Sequence, residues 1–396
     1  MGNFMVEEKK PSYGAKIKVV GVGGGGGNMI NHIIREKGDE MDIDLIVANT
    51  DVKALDSSLA FTKLQLGEKI TKGLGAGMNP DVGTKAAQES YEEIKSTLEY
   101  SDIVFIASGL GGGTGTGAAP VVAQAAKEIG ALTISVVTMP FEFEGKKRYN
   151  LALKGLNELK KESDSIVVIP NQRLKSLIDK KAGIKESFKI VDNVLARAVS
   201  GMCTIVLDSG NSDINSDFAD VKKVMEHRGM ALLGIGESEG EGAAQEAIKN
   251  AIQSPLLSDI TINGAVGVLV HFKYHPDSPF SDIEEAMCLV QNAVDDDADI
   301  IFGTTSDESF ENNKIQVTII ATGFRDKDEE RPTPVASTPD AAFKKSRNPI
   351  LDERISRLKV SGGYNSEEAT NMLETPSYIS CLLYTSPSPR DRTRSR

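Results

Sequence analysis

Residues 109–117 read GLGGGTGTG, and AAPVVAQAAKEIG follows at 118–130. Six of those nine residues are glycine. Glycine loses more backbone freedom on folding than any other residue, so such a run persists only where side chains would be in the way. An apolar strand, SDIVFIAS (101–108), precedes the run, and a helical pattern follows it. A glycine loop between a buried strand and a helix N-terminus gathers backbone N–H groups, and the helix dipole adds partial positive charge. A phosphate fits against such a set. A tight turn alone needs one or two glycines, not six. Thr114 and Thr116 can add hydroxyl donors, and Pro120 suits the first turn of the helix, where its missing N–H costs nothing.

The same alternation extends outward. KIKVVGV (16–22) and IDLIVANTD (43–51) read as strands around a helix that Gly38 ends. TKGLGAGMNPDVG (71–83) is another glycine loop, followed by one helix through TKAAQESYEEIKSTLEY. LTISVVTMP and SIVVIPN are further strands with a helix between them. Near-continuous apolar strands alternating with helices imply an α/β fold whose parallel sheet is covered on both faces. A helix is expected over 186–200, and loop then helix across 210–229. A second α/β stretch runs from MALLGIG (230–236) to KIQVTIIATG (314–323).

Beyond that, RDKDEERPTPVASTPDAAFKKSRNP has little to bury and reads as disordered. The expected organisation is an arm (1–15), a nucleotide-binding domain (16–185), a central helix and connection (186–207), a smaller α/β domain (208–323), a linker (324–370), a docking peptide (371–379) and a tail (380–396). That tail, SCLLYTSPSPRDRTRSR, resembles translated adaptor sequence, a native basic tail being the other reading.

Composition narrows the classes. The chain has 396 residues, 40% hydrophobic and 26% charged, with a net charge of −12. That balance argues against a nucleic-acid binder, which needs a basic footprint. No stretch reads as a membrane span or a signal core. Cys203, Cys288 and Cys381 form no C-x-x-C pair, and the first two read as reduced core residues of a cytoplasmic protein. His271 and His275, at a strand end, stand too far apart to share a metal, so no metal site is expected.

Gly21 to Gly26 also satisfies G-x-G-x-x-G, with Asp44 placed as a ribose-binding acid would be. Alone, this supports an NAD-dependent oxidoreductase. No G-x-x-x-x-G-K-[ST] occurs, so a Walker-type loop is excluded. The dinucleotide reading needs one glycine loop, and here there are three, at 21–27, 73–77 and 109–117.

GVGGGGGN, NTD, ITKGLGAGMNPDVG, GGGTGTGAAPVVA, FEFEGKKR, IPN, DFADV, SPLL and GVLV follow one another across residues 16–323. In that order and spacing the chain resembles the FtsZ family, the bacterial tubulin-like cell-division GTPases. The resemblance implies a tubulin-like GTPase domain, GTP and GDP as ligands with Mg²⁺, and head-to-tail homopolymers in a division ring at the inner face of the membrane. It places Gly111, Gly112, Gly113, Thr114, Gly115, Thr116 and Gly117 on the β- and γ-phosphates. Gly23, Gly24, Gly25, Gly26, Gly27 and Asn28 would lie near the α-phosphate, with Asn49 of the NTD run in the same site. Ala76 and Gly77 would sense the γ-phosphate. Glu144 and Arg148 would meet the ribose and phosphate side, and Asn171 ends a strand where open α/β sheets bind ligands.

Phe188 and Asp192, four apart on a helix, share a face. Spacing alone fits a core Phe beside an exposed Asp. The resemblance makes them a stacking plane and a carboxylate for guanine's N1–H and amine. Asp217 and Asp220 sit at a helix start after Asn215, where acids ordinarily act as caps and dipole partners. The resemblance makes all three catalytic, delivered into the neighbouring subunit's site to position water. Their presence argues against a third possibility, a GTP-binding paralogue that does not hydrolyse. Residues 373–379, LETPSYI, resemble the family's peptide for membrane-tethering and ring-regulating partners. Neither nucleic-acid binding nor direct membrane insertion is implied.

Overall fold

A computed structural model of the chain describes residues 15–37, 43–175, 178, 183–207, 218–227, 229–254, 262, 264–295, 297–307, 310 and 314–324. The expected arm, linker, docking peptide and tail lie outside these residues, apart from Ala15 and Phe324, as do Cys381, Asn215 and Asp217.

Strands β1 (Ile17–Val22), β2 (Ile43–Asn49), β3 (Thr62–Gln65), β4 (Ile103–Gly109), β5 (Leu132–Met139) and β6 (Ser165–Pro170) come from the first half. From the second come β7 (Gly229–Glu239), β8 (Gly267–Tyr274), β9 (Asp299–Ser306) and β10 (Lys314–Phe324). All join one sheet in the order β3-β2-β1-β4-β5-β6-β7-β10-β8-β9. The first six are parallel, as expected, although β3 is not among the strands read from the sequence. The second half is mixed: β10 runs antiparallel to both β7 and β8, while β8 and β9 are parallel. The halves meet where β6 pairs with β7.

The helices are α1 (Gly23–Lys37), α2 (Val52–Asp56), α3 (Glu68–Thr71), α4 (Pro80–Glu89), α5 (Tyr91–Leu98), α6 (Thr114–Glu128) and α7 (Lys146–Glu162). They continue with α8 (Asn171–Leu174), α9 (Ile184–Leu207), α10 (Phe218–Met225), α11 (Ala243–Ile252) and α12 (Phe280–Gln291). Alternate residues of β4 explain the continuous apolar strands. Ile103, Phe105 and Ala107 pack toward the side of α1 and α9, while Val104 and Ile106 pack toward α4 to α7. Both faces are buried, so neither can be polar.

Four sequence expectations change. Helix α6 begins inside the glycine run, so Pro120 falls in its second turn. The Thr116 carbonyl that Pro120 cannot serve faces Gly155 of α7, where a Cβ would come within 3.1 Å of it. The single helix of 84–100 is two, starting earlier at Pro80 behind the Asn79 cap and breaking at Ser90. Cys203 is buried, but Cys288 is exposed, because α12 turns Ile283, Ala286, Met287 and Val290 inward. Finally, Lys185–Leu207 is long and apolar enough to cross a membrane by length and composition, with mean hydropathy 1.6. In the fold those apolar residues serve a core helix: Val191, Leu195, Ala198, Val199, Met202 and Cys203 are all buried.

Candidate active site

Strands β1 and β4 are neighbours and end level, Val22 beside Ser108. The helices that follow, α1 and α6, therefore start side by side. Their approach is close enough that a Cβ on Gly23 (φ 72°) would lie 2.8 Å from Gly115 N, and one on Gly25 3.1 Å from Gly109 N. Neither first turn carries an acid, and Gly113 offers α6 no side-chain cap. Both sets of first-turn N–H groups thus remain available to an anion.

The glycines divide into two kinds. A Cβ on Gly26 would overlap the Ala107 carbonyl oxygen, and one on Gly117 the Pro80 carbonyl oxygen. A Cβ on Gly24, Gly77 or Gly112 would meet nothing within 4 Å. The first kind lets elements touch, and the second faces open space, where a ligand can approach. Close packing between elements therefore accounts for part of the run by itself.

The threonines divide similarly. Thr116 is buried and its hydroxyl accepts from Gly111 N–H at 2.8 Å, bracing the loop rather than standing open at its surface. Thr114 Oγ1 lies 2.6 Å from Thr50 Oγ1, a partner within the NTD run that sequence reading passed over. Asn49 is buried and its Oδ1 accepts from Asp51 N–H at 3.2 Å, shaping the turn after β2. The third loop leans on the second: a Cβ on Gly113 would sit 2.8 Å from Ala76 Cβ. Asn79 holds the far end of that loop, its side chain accepting from Asp81 N–H at 3.1 Å.

Beside these loops lies a cleft that draws residues from distant parts of the chain. Gly25 and Asn28 come from α1, Glu144 from the short 3-10 turn before α7, Arg148 from the first turn of α7, Asn171 from the start of α8 just after β6, and Phe188 and Asp192 from α9. Val191, Leu195, Thr138 and Pro140 complete the wall. The last two follow from their place at the C-terminal end of a parallel strand next to β4. Helical spacing brought Phe188 and Asp192 to one cleft, as expected.

Polar groups in the cleft are prepared for a ligand to different degrees. Asn171 is 5% exposed, and its Oδ1 has no partner among the described residues. Burial pushes the Asp192 carboxyl up to about 6, against a smaller opposing pull from His32. Phe188 meets Phe141 edge-on, 5.7 Å between centroids at 86°. Glu144 already has partners: Oε1 accepts from Phe141 N–H at 2.8 Å, and Oε2 lies 2.9 Å from Arg148 Nη1.

Three groups lie elsewhere. Asp44 is at the start of β2, the opposite end from the loops, exposed and 4.0 Å from Lys18. It cannot meet a ribose there, which removes the second half of the dinucleotide signal. Asp220 stands exposed in the first turn of α10, which packs against β8 and β9 in the other half of the sheet, and it does not line the cleft. His271 is buried on β8 with Nε2 2.9 Å from Thr305 Oγ1.

The Tubulin/FtsZ family GTPase domain model matches residues 16–179, and the FtsZ family C-terminal domain model matches residues 229–325. The cell division protein FtsZ of Helicobacter pylori is 47% identical over 325 residues, which is 82% of this chain and 84% of its own length. Among solved structures, an empty FtsZ dimer from M. jannaschii matches with TM-score 0.74 and 45% identity, covering 79% of this chain and 89% of that one. The GDP-bound CetZ1 monomer of Haloferax volcanii shares the fold at TM-score 0.68 and 18% identity, covering 78% of this chain and 94% of that one.

Proposed function

The chain belongs to the FtsZ family of tubulin-like GTPases, and from that premise we propose how its residues divide the work of a GTPase that builds the division ring. The β- and γ-phosphates lie against the N-terminus of α6 at Gly111 to Gly117, and the α-phosphate against that of α1 at Gly23 to Asn28. Ala76 and Gly77 follow the presence of the γ-phosphate. The paired, uncapped helix starts are the observation that carries this reading. Arg148 and Glu144 face the ribose side. Phe188 stacks on guanine, Asp192 accepts from its N1–H and amine, and the buried, unpartnered Asn171 Oδ1 takes a further donor. Adenine lacks that donor pair.

When bound with the nucleotide, Mg²⁺ would supply neutralisation of phosphate charge. Among the described residues no three His, Cys, Asp or Glu gather into a metal site. The loops at residues 23–28 and 111–117 would hold the ion through the nucleotide they bind.

Hydrolysis is in-line attack by water on the γ-phosphate, with Asn215, Asp217 and Asp220 of the neighbouring subunit positioning that water. That no residue of α10 lines its own cleft supports this arrangement. Such a contact is heterologous and does not close, so it propagates as a filament. Residues 373–379 dock the filament to membrane-tethering partners at the division site.

The test is phosphate release from GTP per subunit across a range of protein concentrations. Near-zero release below a threshold and a rise above it is expected. A rate independent of concentration would mean a self-contained site and would remove the role given to Asp220.

A further inference from the structure

Helix α10 has eight residues, too few to hold its place unaided, and its far end is fastened by contacts from three strands. The Val224 carbonyl, in the last turn and without a helical partner, accepts from the buried Thr322 hydroxyl of β10 at 2.7 Å. The same hydroxyl lies 3.3 Å from the Gly267 carbonyl of β8. Lys223 Nζ is 2.9 Å from Asp299 Oδ2 at the start of β9. His227, just past the helix, brings Nε2 to 3.8 Å from that same oxygen. Its ring fits because two glycines make room. A Cβ on Gly267 would lie 3.0 Å from His227 Cδ2, and one on Gly323 3.4 Å from His227 Cβ.

Val221, Val224 and Met225 are buried and keep α10 on the sheet. Apolar burial is non-directional, so by itself it fixes position along the helix axis less sharply than a directed contact does. A hydrogen bond and an ion pair resist sliding. Lys223 and Asp299 are both substantially exposed, so their pairing adds little stability, and its effect is on direction. Asp220 lies one turn from Val224 on the same rigid element, so any slip at the far end reaches it undiminished.

We propose that Thr322, Asp299 and His227 are positioning residues for GTP hydrolysis, latching the end of α10 and so setting where Asp220 stands against the next subunit's nucleotide. This rests on the in-trans role of Asp220. A misplacement of about 1 Å can cost on the order of a hundredfold in rate, so a small slip has a measurable consequence.

The experiment measures GTP turnover per polymerised subunit in the full chain, with KM for GTP and with polymer mass sedimented using a slowly hydrolysed GTP analogue. Thr322→Val should lower kcat roughly fivefold to tenfold, a fraction of what full misplacement costs, with KM and polymer mass unchanged. Thr322→Ser, which keeps the hydroxyl, should return turnover to near wild type. Asp299→Asn should lower kcat about threefold. Wild-type turnover per polymerised subunit in both Thr322→Val and Asp299→Asn would overturn the latch, as would losses only in proportion to polymer. If Thr322→Val does not fold, the surface variant Asp299→Asn decides alone. Asp220→Asn separates the two levels. If it is inactive while the latch variants are normal, only the latch fails. If it too is fully active, the in-trans reading fails.

Discussion

Helices α6 and α10, the two whose N-terminal turns the proposed function brings to the reaction, are held in opposite ways. Six of the nine residues before and within the start of α6 are glycine, and neighbouring backbone closes on them: Gly23 approaches Gly115, and Gly117 lies against Pro80. Helix α10 has an exposed Asp220 in its first turn and depends on side chains of β9 and β10 at its other end. Backbone packing makes a rigid cradle that needs nothing from another molecule. A side-chain-held helix presenting an exposed acid reads as half of a site. Under the proposed function, binding would be complete within one subunit, and hydrolysis would wait for a second.

The largest effect should come from Asp220→Ala. GTP binding and assembly should persist while turnover falls roughly a hundredfold or more, measured as phosphate release beside equilibrium GTP binding. Loss of binding in this variant would place Asp220 in the nucleotide site of its own chain and erase the contrast between the two helices.

Next comes a contrast within the glycine run itself. Gly117→Ala forces a methyl into the Pro80 carbonyl and should destabilise the protein by about 3 kcal/mol in thermal or urea unfolding. Gly112→Ala meets nothing within 4 Å and should leave the unfolding midpoint near wild type, while weakening GTP binding roughly tenfold. Equal stability losses in the two would mean that Gly112 is also a packing glycine.

A smaller effect concerns Asp192. Burial raises its pKa from 3.8 to about 6, so between these values the empty folded protein holds a proton that the unfolded chain releases. The stabilisation is complete below pH 3.8 and is lost as pH rises through about 6. Its size is about 1–2 kcal/mol after allowing for partial solvent access. Asp192→Asn should flatten this part of the stability–pH curve. In the proposed role GTP needs the Asp192 carboxylate as acceptor, so its affinity should fall as pH drops below about 6, seen by calorimetry. The smallest effect is expected from Asp44→Ala, which should leave GTP affinity and turnover within about 0.5 kcal/mol of wild type.

Much of the cleft was legible because its signals are local. A strand, glycines and a helix in succession place amides at a strand end wherever they occur. The i, i+4 spacing of Phe188 and Asp192 puts both on one face whatever that face meets. What misled was also local reasoning. Pro120 looked like a first-turn residue because nothing nearby showed that the glycines themselves are helical. Cys288 looked buried because its neighbours are apolar, although the turn of α12 points it outward. Asp44 had the right separation from the glycines and sits at the wrong end of its strand.

By itself, the sequence determined the α/β class, the three glycine loops, the family and the residues that carry its motifs. These depend on periodicity, on backbone freedom and on order along the chain. The tertiary structure decided which glycines face a ligand and which face another backbone. It decided that residues 28, 144, 171 and 192 share one cleft, that Asp220 lies outside it, and that Thr322 reaches the end of α10. Those facts depend on distances between segments far apart in the chain, set by how the sheet orders its strands and by which side chains close the gaps between helices.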